Sequence, residues 1–198
     1  MMTVWLSFSK GGLVMYPLLA CSFLVVVIFV ERILFYKERN ISEKCFADIK
    51  YNLQNKNFDE ALVAAKDSAS DVAEIISYYL ESGENKNDKV QTLETRVNIM
   101  LNAYEEKLSL LSSIITLAPL LGLLGTISGI MSSFKIFTIA SSQPFAITEG
   151  IGEALTATAF GLLVAILALL LYSILKYYIS ILNKILQYTC LLLIANDR

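Results

Sequence analysis

The sequence contains no histidine and only three cysteines, three prolines and one tryptophan among its 198 residues. Without histidine, the chain has neither histidine-based catalysis nor histidine metal sites. Cys21, Cys45 and Cys190 stand in three different segments without the short spacing of metal ligands, so we interpret them as packing residues. The formal net charge of −2 excludes the strongly basic balance of a nucleic-acid-binding protein.

The sequence also lacks the patterns that carry enzyme chemistry. No nucleophile is paired with a base. Gly122, Gly125 and Gly129 lie inside an apolar run, whereas a phosphate-binding loop stands between a strand and a helix. The sequence therefore predicts a protein that is not an enzyme and that uses no cofactor and no metal.

Long apolar runs are abundant. Hydrophobic residues make up 56% of the chain, and the mean hydropathy is +0.59. No charged residue occurs in 11–30, 108–134 or 154–175. Each run reaches or exceeds the roughly 20 residues that a helix needs to cross the hydrocarbon core. The sequence predicts an all-α integral membrane protein with three transmembrane helices and long cytoplasmic helical extensions.

Lysine and arginine predict the orientation of these helices. Near the span ends on one side of the membrane, the basic residues are Arg32, Lys37, Arg39, Lys44, Lys50, Arg96, Lys107, Lys176, Lys184 and Arg198. On the other side they are only Lys10 and Lys135. Because basic residues favour the cytoplasmic side, the N-terminus is predicted to face out and the C-terminus to face the cytoplasm.

The predicted division of the chain has six parts. These are 1–30 (N-terminus and first transmembrane helix), 31–107 (cytoplasmic helical segment), 108–134 (second transmembrane helix), 135–152 (periplasmic loop), 153–176 (third transmembrane helix) and 177–198 (cytoplasmic C-terminal helix).

Helical periodicity extends beyond the membrane runs. Apolar residues recur at three- and four-residue steps from Val90 to Leu111, which predicts one unbroken helix from about residue 89 to 134. Residues 82–88 are predicted as a break. The apolar positions of 177–195 fall largely on one side, which predicts a helix that packs on partners or lies at the membrane interface. Glu31 and Arg32 are interpreted as an interface anchor at the end of the first run.

Glu153 carries the only charge between residues 150 and 175. A carboxylate at the head of a transmembrane helix is costly because it loses hydration, so such a residue is a functional candidate. One interpretation is that Glu153 takes up and releases protons. The other is that it lies among lipid headgroups and marks the start of the helix. From this residue alone, both interpretations stay open.

Small and hydroxyl residues form faces on the second and third runs. Gly122, Thr126, Gly129 and Ser133 share one helix face, and Gly125 with Gly129 gives the spacing that allows close helix packing. On the third run, Ala157 and Gly161 continue the face of Glu153, and the threonines at 156 and 158 flank it. Simple helix packing and a wet, hydroxyl-lined path both fit this pattern.

The chain resembles the MotA/TolQ/ExbB proton-channel family, in its ExbB/TolQ branch. The resemblance rests on three stretches, namely 12–19 (GLVMYPLL) with Glu31-Arg32, 118–126 (APLLGLLGT) continuing to 129–134 (GIMSSF), and 151–163 (IGEALTATAFGLL). Together with the spacing and topology, it covers nearly the whole chain.

The resemblance implies a homo-pentamer in the bacterial inner membrane whose pore encloses two copies of a single-span ExbD/TolR-type partner. Proton flow would then energise a TonB- or TolA-type protein that acts on the outer membrane. It further implies that Glu153 handles protons and that Thr126 and Thr158 line the pore. Gly122, Gly125, Gly129 and Gly161 would pack helices.

Several alternatives stay open. The sequence does not separate ExbB from TolQ, and the role of Glu149 is undetermined. A MotA-like stator subunit is disfavoured, because MotA usually has four spans and lacks the third-span glutamate. The rival hypotheses are a membrane scaffold that only holds the partner helix and an ion channel that works without a partner.

Overall fold

A computed structural model describes residues 13–39, 43–66, 71–82, 86–139 and 144–196. Over these residues the chain is entirely helical apart from short turns, which confirms the predicted all-α class. The helices are α1 (Met15–Arg39), α2 (Glu43–Gln54), α3 (Phe58–Lys66), α4 (Asp71–Glu81), α5 (Lys86–Glu105), α6 (Leu108–Ile139) and α7 (Pro144–Asn196).

Three of these helices are long and apolar enough to cross a membrane, as predicted. The candidate spans are Met15–Lys37, Leu108–Phe134 and Gly150–Asn196. Most of their large apolar side chains are exposed in the single chain. Because water would not tolerate so much apolar surface, lipid or other protein chains must cover it.

The third span continues far beyond the bilayer. α7 has 53 residues, so at 1.5 Å per residue it is about 80 Å long, against a hydrocarbon core of about 30 Å. No glycine or proline occurs after Gly161 to interrupt it. The segments predicted as a third span and a separate C-terminal helix are therefore one unbroken helix. Helix also covers most of 135–152, since α6 ends at Ile139 and α7 begins at Pro144. Where the bilayer boundaries fall along these helices stays a prediction.

Contacts divide the chain into two compact units. The first comprises Met1–Val30 and Leu108–Ser173, and the second comprises Glu31–Lys107 and Ile174–Arg198. The second unit has its own core, in which the end of α7 packs with the shorter helices through Leu186, Cys190 and Leu193. Lys184 and Gln187 are exposed. This confirms the one-sided pattern predicted for 177–195 and the packing role of Cys190.

The prediction of one unbroken helix from 89 to 134 is wrong. α5 ends at Glu105 and α6 begins at Leu108. The last carbonyls of a helix lack partners within the helix. Here side chains of α1 supply them, because Arg32 Nη1 donates to the Ala103 carbonyl at 3.0 Å and the Tyr36 hydroxyl donates to the Tyr104 carbonyl at 3.0 Å. Apolar periodicity did not reveal this cap.

Candidate functional site

α6 and α7 meet along a seam of small residues, and the backbones approach most closely at Gly122 and Gly161. A Cβ added at Gly122 would lie 3.0 Å from the Cα of Thr158. A Cβ added at Gly161 would lie 2.6 Å from the carbonyl oxygen of Ala118. Real side chains do not approach backbone this closely, so any larger residue would push the two helices apart.

The seam continues toward the start of α7. A Cβ on Gly125 would lie 2.5 Å from the Cβ of Ala157, and one on Gly129 would lie 2.9 Å from the Cβ of Ala154. The glycines singled out from the sequence therefore all lie where α6 and α7 touch. Their predicted role in helix packing fits this geometry.

Gly150 belongs to the same seam, and the sequence did not single it out. A Cβ there would collide with the hydroxyl of Ser133, which is buried and donates to the Gly129 carbonyl at 2.9 Å. Gly150 was missed because it fell in the segment predicted as a loop. The signal was present, since Gly150, Ala154, Ala157 and Gly161 follow one another at helical steps.

Thr158 joins the two helices by a hydrogen bond. Its Oγ1 donates to the carbonyl oxygen of Gly122 at 2.9 Å. Thr126, by contrast, bonds within its own helix, since its Oγ1 donates to the Leu123 carbonyl at 2.6 Å. The single hydroxyl hydrogen of each threonine is thus already used within the chain, and only lone pairs remain for another group.

Glu153 lies beside the seam rather than in it. It is half-buried, while the neighbouring Ala154 and Ala157 are buried. At about 100° per residue, Glu153 and Thr158 are about 140° apart around the axis of α7, so they lie on opposite flanks of the seam. A single chain therefore does not bring together the two residues that the resemblance places in one pore.

The carboxylate of Glu153 has no partner among the described side chains. Among the side chains that the structure describes, none makes a hydrogen bond or an ion pair with its carboxylate. Glu149 lies one turn earlier in α7, and its side chain falls outside the described part of the chain. No group of three or more metal-ligating side chains occurs within the described ranges.

The pair Glu31 and Arg32 was interpreted as an interface anchor, and for Arg32 this is wrong. Arg32 is only 4% exposed and caps α5 through the Ala103 carbonyl. The cation is favourable there, because the carboxyl end of a helix carries partial negative charge. Glu31 is exposed and forms an ion pair with Lys107.

The second unit also contains a buried polar cluster of Asp71, Arg39 and Tyr104 that the sequence did not predict. Asp71, only 6% exposed, accepts hydrogen bonds from Arg39 Nη1 at 3.1 Å and from the Tyr104 hydroxyl at 2.5 Å. Burial, together with the hydrogen bond to Asp71, raises the pKa of Tyr104 above its usual range. Asp71 stands just before an apolar face in a polar segment, so its sequence position resembled an ordinary helix start.

Comparison with known proteins decides the family. The model of the MotA/TolQ/ExbB proton channel family matches residues 54–187. The chain belongs to this family.

Individual relatives agree with the assignment. The chain is 32% identical over 173 residues to a Synechocystis protein whose name, ExbB-like 3, likens it to the biopolymer transport proteins, covering 84% of this chain and 81% of the relative. It is also 32% identical over 178 residues to ExbB-like 1 of the same organism, covering 85% and 68%. To the Tol-Pal system protein TolQ of Haemophilus influenzae it is 29% identical over 96 residues, covering 48% and 42%.

This membership agrees with the fold. Three helices can span a membrane, so the chain is a multi-pass membrane protein of a proton-channel family rather than of an enzyme family. The ExbB and TolQ relatives place it in the ExbB/TolQ branch.

Proposed function

We propose that this chain is a motor subunit that uses the proton motive force to energise a TonB- or TolA-type protein acting on the outer membrane. It works with a single-span partner of the ExbD/TolR type. It resides in the bacterial inner membrane, with the N-terminus in the periplasm and the C-terminus in the cytoplasm. Family membership and the ExbB and TolQ relatives support this proposal.

The position of Glu153 carries the proposal. It carries the only charge between residues 150 and 175, it is half-buried beside the α6–α7 seam, and no described side chain neutralises it. A carboxylate in a span that has no structural partner is costly to keep, so it indicates a function. A carboxyl group that is alternately charged and neutral is the simplest proton carrier that these residues offer.

The seam supplies the rigid part of such a motor. It fixes α6 to α7 and leaves the large apolar side chains of the spans exposed, which is what assembly with further copies and with a partner helix requires. In the proposed homo-pentamer, two partner copies fill the pore. Thr126 and Thr158 line it with hydroxyl oxygens that can accept hydrogen bonds.

The decisive experiment replaces the carboxyl group without changing its shape. The chain is co-expressed with a single-span protein of the ExbD/TolR type, and Glu153→Gln is compared with Glu81→Gln, an exposed glutamate of α4. Proton uptake into proteoliposomes and energised outer-membrane work are measured, with assembly checked by size-exclusion chromatography. We expect Glu153→Gln to assemble normally and to lose both activities, while Glu81→Gln keeps them.

Two other outcomes would favour the rival functions. If Glu153→Gln retains full activity while Gly125→Leu or Gly129→Leu abolishes it, the chain is a scaffold that only holds its partner. If the purified chain alone gives steady proton leakage in liposomes, it is a channel that needs no partner.

A further inference from the structure

We propose that Thr156 is a positioning residue for Glu153. Its hydroxyl oxygen accepts a hydrogen bond from the protonated carboxyl group of Glu153 and thereby favours the proton-bound state. The proposal rests on the proton-handling role given to Glu153 above. It assigns a second group to that site, on the same helix and in the same chain.

The first support is placement. Thr156 follows Glu153 by three residues, which puts the two about 60° apart on one flank of α7. Side chains three residues apart on a helix are neighbours, with about 5–6 Å between their Cβ atoms. Both are half-buried in the chain. A hydroxyl oxygen is thus within reach of the carboxyl group without any change in the backbone.

The second support is the direction of the hydroxyl hydrogen. Thr156 Oγ1 donates to the Gly152 carbonyl at 2.7 Å, which uses its only hydrogen. The oxygen can then only accept. A protonated carboxyl group has an O–H to donate, whereas a carboxylate has none. Because the hydroxyl is oriented this way, it stabilises the protonated form of Glu153 and gives nothing to the charged form.

Thr158 provides the contrast within the same helix. It lies on the opposite flank, and its hydroxyl hydrogen is committed to the Gly122 carbonyl of α6. Two threonines separated by one residue thus have different tasks. Thr158 holds the two spans together, and Thr156 faces the proton-handling group.

The sequence gives the charged and titratable groups of the runs that surround this flank. The membrane runs of α1 and α6 carry no charged residue at 13–30 or 108–134. The titratable side chain of α1 in that range, besides Cys21, is the exposed Tyr16. On α7 itself Glu149 lies one turn earlier, and Lys135 follows the apolar run of α6. These groups are the same in every variant below, so differences between variants report on Thr156.

The test is a pH titration of the full chain reconstituted in lipid vesicles. Infrared difference spectroscopy follows the carbonyl stretch of protonated carboxyl groups, and the part of the signal missing in Glu153→Gln belongs to Glu153. Thr156→Val removes the hydroxyl at nearly constant volume, and Thr156→Ser restores it. Ser173→Ala is the control, because the Ser173 hydroxyl also donates to the carbonyl four residues earlier in α7, that of Leu169 at 2.8 Å, but lies about 30 Å along the helix from Glu153.

We expect Thr156→Val to move the midpoint of this signal by about 0.5–1 pH unit toward acid, a roughly three- to tenfold loss of proton affinity. Thr156→Ser and Ser173→Ala should keep the wild-type midpoint. An unchanged midpoint in Thr156→Val, or an equal shift in Ser173→Ala, would overturn the inference and leave the proposed function standing. If no Glu153-dependent signal occurs at any pH, both this inference and the proposed proton-handling function are wrong.

Discussion

The Thr158 hydroxyl donates a 2.9 Å hydrogen bond to the Gly122 carbonyl, 36 positions earlier in the sequence. This bond crosses the seam at the point where a Cβ on Gly122 would meet the Thr158 backbone. A hydrogen bond across a helix interface needs the two backbones to be close, and the glycine permits that approach. Thr158 therefore links α6 and α7 whatever further role its oxygen has in a pore.

Replacing Thr158 with valine should weaken this seam. The Gly122 carbonyl would lose its interhelical donor, and the loss should cost about 0.6–1.5 kcal/mol of stability. Thermal unfolding in detergent measures the effect, and Thr158→Ser should restore wild-type stability because serine keeps the hydroxyl. Thr156→Val tests specificity, since its hydroxyl bonds within its own helix and its removal should change stability less.

Two glycines of α7 give a matched test of the close contact. A Cβ at Gly161 would lie 2.6 Å from the Ala118 carbonyl oxygen, whereas a Cβ at Gly152 meets nothing within 4 Å. Gly161→Ala should destabilise the protein by about 1–3 kcal/mol through overpacking. Gly152→Ala should be neutral or stabilising by up to about 1 kcal/mol, because alanine favours helix. Equal effects of the two changes on thermal unfolding would contradict the close contact between α6 and α7 at Gly161.

The sequence was sufficient to predict those features of the fold that depend on a pattern repeated along one helix. Uncharged runs predicted the three spans, and the spacing of Gly122, Gly125 and Gly129 predicted a close-packed face, because both depend on local pattern alone. The prediction from sequence failed where a feature depends on a contacting residue that is distant in the sequence. The break after Glu105 depends on Arg32 from another helix. Residues so far apart in sequence leave no periodic signal.

The same reason explains what was missed at the site. The sequence put Glu153 and Thr158 in one stretch, and the resemblance gave both to a pore. Their different flanks became clear only when the buried stripe of α7 showed which side faces α6. Periodicity relates residues to one another around a helix, but the neighbouring helix decides which face is the inner one.

Capping by Arg32 should be measurable as local stability of α5. Arg32→Met keeps the apolar stem but removes the donor to the Ala103 carbonyl. We expect faster hydrogen exchange in the last turn of α5, with its first turns unchanged. Arg96→Met is the control, since Arg96 forms a more exposed pair with Glu74 at 3.6 Å and such pairs contribute little. Unchanged exchange near residue 105 in Arg32→Met would contradict the capping role.

The cluster of Asp71, Arg39 and Tyr104 predicts a pH dependence of the second unit. The folded protein holds the Tyr104 proton more tightly than the unfolded chain does, because burial and the bond to Asp71 raise its pKa. Below about pH 10 the tyrosine is protonated in both states and its contribution is complete. Above that pH the unfolded chain releases the proton and the folded protein does not. Stability therefore falls as the pH rises further.

Tyr104→Phe should remove this alkaline loss. Wild-type unfolding by denaturant should lose up to about 1.4 kcal/mol per pH unit above pH 10 from this group, and the variant should lose less. At neutral pH the variant should be less stable by about 1–3 kcal/mol, since Asp71 is buried and would lose one of its two described partners, keeping Arg39. Parallel alkaline slopes in the two proteins would show that Tyr104 does not carry the effect. Asp71→Asn keeps an oxygen that accepts a hydrogen bond from the Tyr104 hydroxyl, so its alkaline slope should lie between those of the wild type and Tyr104→Phe.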